Sequence, residues 1–294
     1  MSGPSPSLTL ALVFTTCAAL ACGERRSSDD LSAGNGSAIR LVDASGAELV
    51  LERPARRIVS LVPSATETLR AIGAEASLVG RTDFDTGPWV SHLPSVGGGL
   101  EPSLEALVAL GPDLVVRFAG EQDARTPARL DALGIAHLAV RPDRVEDVYR
   151  TAILLGGATG RAAQADSLVS AMQAGLAAVA SSVRGLERMR VVYVLGGTPP
   201  WVAGPGTYVD EIVSLAGGDN VFADLGALYS SVSPEQLRAR EVDVVLVSEG
   251  ATYDRSLTPG VRVEVVGDAL EIPGPGVVDA AHRVAELLHG RSEQ

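Results

Sequence analysis

The chain has 294 residues, 46 % of them apolar, and a mean hydropathy of +0.21, which is core-forming material for two domains of ordinary size. A net charge of −12 argues against a nucleic-acid partner, because such binding rests on clustered cations against phosphates. No lysine is present, which excludes the phosphate-loop lysine, Schiff-base chemistry and lysine general bases together.

At the N-terminus, Leu8 to Leu20 form an apolar run too short to span a bilayer but suited to the hydrophobic region of a secretory signal. The following Ala19-Leu20-Ala21-Cys22 resembles a bacterial lipobox, which makes Cys22 the expected site of lipidation and a membrane anchor. Residues 1–21 are therefore expected to be a signal peptide. Residues 22–38, small and polar, are expected to be a flexible tether. Cys17 and Cys22 are the only cysteines, so the body beyond them has no internal disulfide.

The body opens with a predicted hairpin, Ile39 to Val42 and Glu48 to Leu51, around the turn residues Asp43-Ala44-Ser45-Gly46. Arg57 to Val62 reads as a buried strand. Pro63 to Ile72 reads as a helix, with Ser64 and Glu67 spaced as a capping box. Leu78 to Gly80 is a second strand, and Arg81 to Gly99 a loop rich in Pro, Gly and Asp. Predicted helices 102–110, 125–133 and 145–155 alternate with strands 113–116 and 137–140. Alternation at this pace implies a parallel sheet with helices on its faces.

Residues 161–184 carry the longest periodic pattern. Ala165, Leu168, Met172, Leu176, Val179 and Val183 recur at spacings of three and four, which draws one apolar stripe along a helix; Gly185 suits its C-terminal cap. Beyond it the plan repeats. Strands 190–195, 242–247 and 261–266 alternate with helices 209–216, 234–239 and 277–288. The expected architecture is α/β, with an N-terminal lobe (39–160) and a C-terminal lobe (185–294) joined by one long rigid helix. A local echo supports equivalent units: Ser103, Glu105, Leu107, Ala109, Asp113 and Val115 recur 130 positions later as Ser233, Glu235, Leu237, Ala239, Asp243 and Val245.

The stretch RIVSLVPSATETLRAIGAEASLVGRTDFDTGPW, followed by LPSVGGGLEPSLEALVALGPDLVV, resembles the periplasmic cobalamin-binding proteins of ABC importers and their siderophore- and haem-binding relatives. The resemblance runs from about Ile39 to Leu288. It implies the class III fold, two Rossmann-like lobes on one helix, clamping a ligand between them. It also implies that Glu105 and Glu235 dock onto arginines of the permease dimer; a carboxylate in the first turn of a helix is rigidly presented for bidentate pairing with Arg. Trp201, Tyr229 and Asp268, with Asp83, Phe84 and Asp85 from the TDFDTGPW loop, stand at ligand-contact positions. Gly99, Thr82 and Ala269 occupy places where the cobalamin binders carry other residues, which leaves another corrinoid, a haem or a ferric siderophore open.

The remaining chemistry is sparse. His92, His137, His282 and His289 are scattered, so no protein-held metal is expected. Gly97-Gly98-Gly99 is not G-x-G-x-x-G, and no G-x-S-x-G is present. The expectation is a monomeric, non-enzymatic receptor outside the cytoplasmic membrane, without a resident cofactor, delivering cobalamin or a related chelate. The alternative is a cofactor-using α/β enzyme or a sensory domain on the same body.

Overall fold

The computed structural model describes residues 38–290; the expected signal peptide, Cys17, Cys22 and nearly all of the expected tether lie outside them. Strands β1 (Ile39–Val42) and β2 (Glu48–Leu51) form the expected antiparallel hairpin, with Ile39 opposite Leu51. Its turn is organised by the buried Asp43. Oδ1 accepts from the Ser45 and Ala47 amides and the Ser45 hydroxyl, and Oδ2 from the distant amide of Ala139 at 2.9 Å.

The first sheet is built from β3 (Ile58–Ser60), α1 (Pro63–Ala71), β4 (Leu78–Gly80), α2 (Leu104–Leu110), β5 (Leu114–Phe118), α3 (Thr126–Ala132) and β6 (His137–Val140). All four strands are parallel, in the order β4-β3-β5-β6. Successive side chains point to opposite faces, so Ile58, Leu114 and Val116 enter one core while Val59 and Val115 enter the other. The predicted capping box at Ser64 is corrected here. Val62 is the N-cap of α1, which places Ser64 inside the first turn, while Glu67 instead accepts from the Trp89 indole.

Helices α4 (Val145–Thr159) and α5 (Ala162–Ser182) connect the two sheets. Gly160, at φ +70°, makes the left-handed turn between them. Gly156 then lets the pair close: a Cβ there would fall 2.5 Å from that of Ala165. On α5, Ala165 joins the first-sheet core, and Met172, Leu176 and Val179 join that of the second sheet. On α4, Leu154, Leu155 and Ala158 join the first, and Val145 and Val148 the second. The expectation of one long connecting helix is thus revised: an antiparallel helical hairpin spans both cores. The long helix also ends at Val183, ahead of the proposed glycine cap.

The second sheet comprises β7 (Met189–Gly196), β8 (Trp201–Ala203), α6 (Tyr208–Leu215), β9 (Gly218–Asn220), β10 (Tyr229–Ser231), α7 (Pro234–Arg238), β11 (Val244–Ser248), β12 (Arg262–Gly267) and α8 (Val277–His289). Its order is β10-β8-β7-β11-β12, with β9 on the start of β7. The expected all-parallel plan holds for β7, β11 and β12. The short strands β8 and β10 run antiparallel and were not legible, because three residues cannot show an alternation.

Candidate functional site

The carboxyl ends of β5, β6, β7 and β11 open onto one cleft of about 1190 Å³ between the two sheets. Ligands of parallel α/β sheets bind at such strand ends, where loops and helix starts converge. Of eleven Phe, Trp and Tyr in the chain, five line this cleft: Phe118, Tyr193, Trp201, Tyr208 and Tyr229. A chain poor in rings has concentrated them here. Trp201, 50 % exposed at the start of β8, presents an apolar face that a flat ligand would cover.

The three tyrosines form the floor. The Tyr193 hydroxyl lies 2.8 Å from Ser248 Oγ, and burial pushes this phenol's pKa up while the Ser248 bond opposes the shift. Tyr229 is pushed up to about 12 by burial, then by Tyr193 and Asp143. Tyr208 is pushed up strongly by burial, with Tyr229, Tyr193 and Glu271 adding to it. All three therefore stay neutral hydroxyl donors at physiological pH. Glu249 and Glu271 stand on the neighbouring wall. The Glu271 carboxyl is raised by burial first, then by the Asp268 charge, and more weakly by that of Glu249, while a bond from the Glu249 amide opposes the shift.

The loops that carry the opposite wall are anchored from below. Arg117 and Asp123 are buried and face each other at 3.6 Å, on either side of the wall residues Phe118 and Gln122. Arg117 Nε donates to His137 Nδ1, so the imidazole proton belongs on Nε2, which faces Asp131. Asp143 pairs with Arg141 at 2.6 Å. The same turn is tied to the second sheet's helices: the Tyr208 amide donates to the Asp143 carbonyl, and Glu211 of α6 accepts from the Val145 amide and the Arg144 guanidinium. The first turn of α4 is thus capped from across the molecule.

Of the residues named from the sequence, Trp201 and Tyr229 line the cleft together. They are neighbours because β8 and β10 pair antiparallel, with Tyr229 opposite Ala203. Asp268 is exposed on the loop after β12, beside Glu271 but outside the lining. Asp83, Phe84, Asp85 and Gly99 do not line it either; they sit in the loop between β4 and α2. Asp85 is buried and accepts from the Thr82 amide and hydroxyl, and Asp83 accepts from Ser95. Phe84 is 66 % exposed. Gly99 lies so close to β3 that a Cβ would approach the Leu61 carbonyl to 2.4 Å, so only glycine fits there. Phe118, Tyr193 and Tyr208 were missed because each sits in an apolar pattern that reads as core. The available signal was position, since Phe118 and Tyr193 lie toward the carboxyl ends of parallel strands.

Glu105 and Glu235 are both exposed in the first turns of α2 and α7. The echo around them is structural. Ser103 and Ser233 are the N-caps, accepting from Ala106 and Gln236; Leu107 and Leu237 are fully buried. Asp113 and Asp243 accept from the backbone amides of Arg57 and Arg190, which precede β3 and begin β7. Among the described residues no three His, Cys, Asp or Glu side chains gather as a metal site.

A cleft at strand ends between two α/β sheets joined by helices suits a solute-binding protein, and comparison with known proteins agrees. Residues 58–258 match the periplasmic binding protein family, and the chain belongs to it. It is 30 % identical over 275 residues to a cobalamin-binding protein of Halobacterium salinarum, covering 84 % of this chain and 73 % of that one. Among solved structures, the periplasmic vitamin B12 binding protein BtuF of Vibrio cholerae superposes with a TM-score of 0.71 at 24 % identity, over 82 % of this chain and 99 % of that one. The periplasmic heme-binding protein RhuT from Roseiflexus sp. RS-1 gives 0.67 at 26 %, over 79 % and 98 %.

Proposed function

We propose that this protein is the extracytoplasmic receptor of an ABC importer, and that it captures cobalamin or a related corrinoid in the cleft and hands it to the permease. The observation that carries this reading is the cleft itself: about 1190 Å³, with five aromatic rings on its walls, in a chain related to a cobalamin-binding protein. Wide, flat, partly apolar ligands are held by aromatic faces with a few polar anchors. Trp201 and Tyr229 contact the ligand from the second sheet; Asp268 and Phe84, exposed outside the lining, join them only where a ligand extends beyond the cleft, with Asp83 and Asp85 holding the Phe84 loop in place beside Gly99. Cys22 is lipidated and keeps the receptor at the membrane, where it acts as a monomer.

The test is titration of the purified protein with cyanocobalamin, followed by its visible spectrum and by quenching of tryptophan emission. Stoichiometric uptake, weakened about tenfold or more by Trp201→Ala, is expected from the loss of one stacked ring. Uptake of haem with no uptake of any corrinoid would overturn the corrinoid assignment.

Docking follows from the matched acids. Each is presented by a capped helix that starts on the cleft side of its sheet, α2 after the loop touching Leu61, and α7 after β10 beside Trp201. The Glu105→Ala/Glu235→Ala double variant is expected to bind ligand normally yet fail to support vesicle transport with its permease. Transport at the wild-type rate would remove this role.

A further inference from the structure

We propose that the cleft selects a flat ligand edged with N–H donors, as in a corrin ring bearing amide side chains, against one edged with carboxylates. Glu249 and Glu271 make the selection, and the Tyr208 hydroxyl is a buried anchor for the ligand. This deepens the reading of the cleft as a tetrapyrrole site and rests on it.

Two independent observations meet here. The first is a group of carboxylates without a cationic partner. Glu249 and Glu271 both line the cleft, Asp268 stands on the same side, and the ion pairs among the described residues include none of the three. The Glu249 carboxylate lies beside Gly267 at the end of β12, 3.7 Å from where a Cβ would sit. Across the cleft Glu121 adds a fourth carboxylate, while the lining guanidinium, Arg141, is already engaged by Asp143. The walls therefore present a negative field to whatever enters. A carboxylate-edged ligand would meet like charge in a partly desolvated space, whereas an amide N–H would be accepted by it.

The second observation is an unmet hydrogen bond. Tyr208 lines the cleft and is 4 % exposed, and its enclosed hydroxyl, with Tyr193, Tyr229 and Glu271 nearby, has no partner among the described residues. Its neighbour Tyr193 is satisfied by Ser248, and the other buried side-chain atoms without a partner among the described residues, Ser64 Oγ and the two Asp123 carboxylate oxygens, belong to residues outside the cleft lining. A buried polar group without a partner is destabilising, and such groups persist where a ligand completes them. A phenol both donates and accepts, and a primary amide does the same; a carboxylate can only accept.

The experiment compares three probes by calorimetry on the full-length protein: cyanocobalamin, the corrinoid carboxylic acids made by hydrolysing its peripheral amides, and haemin. The wild type should bind the parent corrinoid at least about tenfold more tightly than its acids, a gap that narrows at high salt. In Glu249→Gln/Glu271→Gln the gap should close from both sides, the acids binding more tightly as the like charge is removed and the parent more weakly as its amides lose their carboxylate acceptors. Tyr208→Phe should weaken the parent about tenfold while the unliganded protein melts at the same or a higher temperature, which a merely structural tyrosine would not do. Corrinoid binding with no discrimination against the acids overturns this selection and leaves the receptor reading intact. Unchanged affinity in Tyr208→Phe overturns the anchor. Failure of every tetrapyrrole to bind overturns both the selection and the reading it rests on.

Discussion

Asp43 shows how much one side chain can hold. It closes the first turn and, through Ala139, fastens the hairpin to the edge of the first sheet. Burial alone would raise its pKa, but the Ser45 hydroxyl and the amides of Ala139, Ser45 and Ala47 outweigh this and hold it below the ordinary carboxylate value. A depressed native pKa stabilises the fold above the unfolded-state value and ceases to do so as pH falls through the native one. Asp43→Ala should therefore lose about 2–3 kcal/mol near neutrality, by urea denaturation, and the difference from wild type should shrink on acidification toward pH 3. The sequence marked Asp43 only as a turn residue; its long-range partner depends on β6 lying beside the hairpin, which no local pattern reveals. The same holds for Tyr208. At the start of α6 it reads as an ordinary buried ring, and only the assembled cleft shows its hydroxyl without a partner.

At the scale of elements, most of the chain was legible. The hairpin, seven of the eight helices to within two or three residues at each end, and the longer strands follow from periodicity and turn residues, because each buries one face on its own sheet. Helix α4 was seen but ended early: Gly156 and Gly157 look like a stop, yet they lie in its last turn where Ala165 and Leu41 pack close. That misreading hid the second member of the connection. What fixes α4 is tertiary, its N-terminal amide at Val145 being capped by Glu211. Glu211→Ala should cost about 1 kcal/mol for the lost cap, lowering the melting temperature by about 2–4 °C. Faster hydrogen exchange should be confined to the turn before α4 and its first residues; unchanged exchange there would mean the cap does not hold the turn.

For the whole molecule, the two sheets share more than a single spine. Met172, Leu176 and Val179 of α5, each buried and worth about 1.5–3 kcal/mol on transfer from water, lie in one core with Val145 and Val148 of α4. Gly274, in the loop before α8, rests against the Ser64 backbone of α1. The amphipathic stripe announced the rod, and the repeated Ser-x-Glu units announced equivalent halves. The cleft between them was legible only as family likeness, since its walls come from strand ends that the topology alone gathers.

The cap that Glu211 places on α4 has a kinetic reading. With the connecting helix already tied to α6 next to the cleft residues Asp143 and Tyr208, the ordering cost of forming the site is borne during folding, and capture needs no slow closing step. Stopped-flow traces of ligand uptake should then be single exponentials whose rate climbs linearly with concentration, with a slope in the range of about 10⁵–10⁷ M⁻¹s⁻¹ typical of docking between preformed surfaces. A rate that levels off at high concentration would reveal a gating motion and overturn this reading. Retention would be governed by how quickly the solute escapes, and the transporter would have to prise the halves apart to empty them.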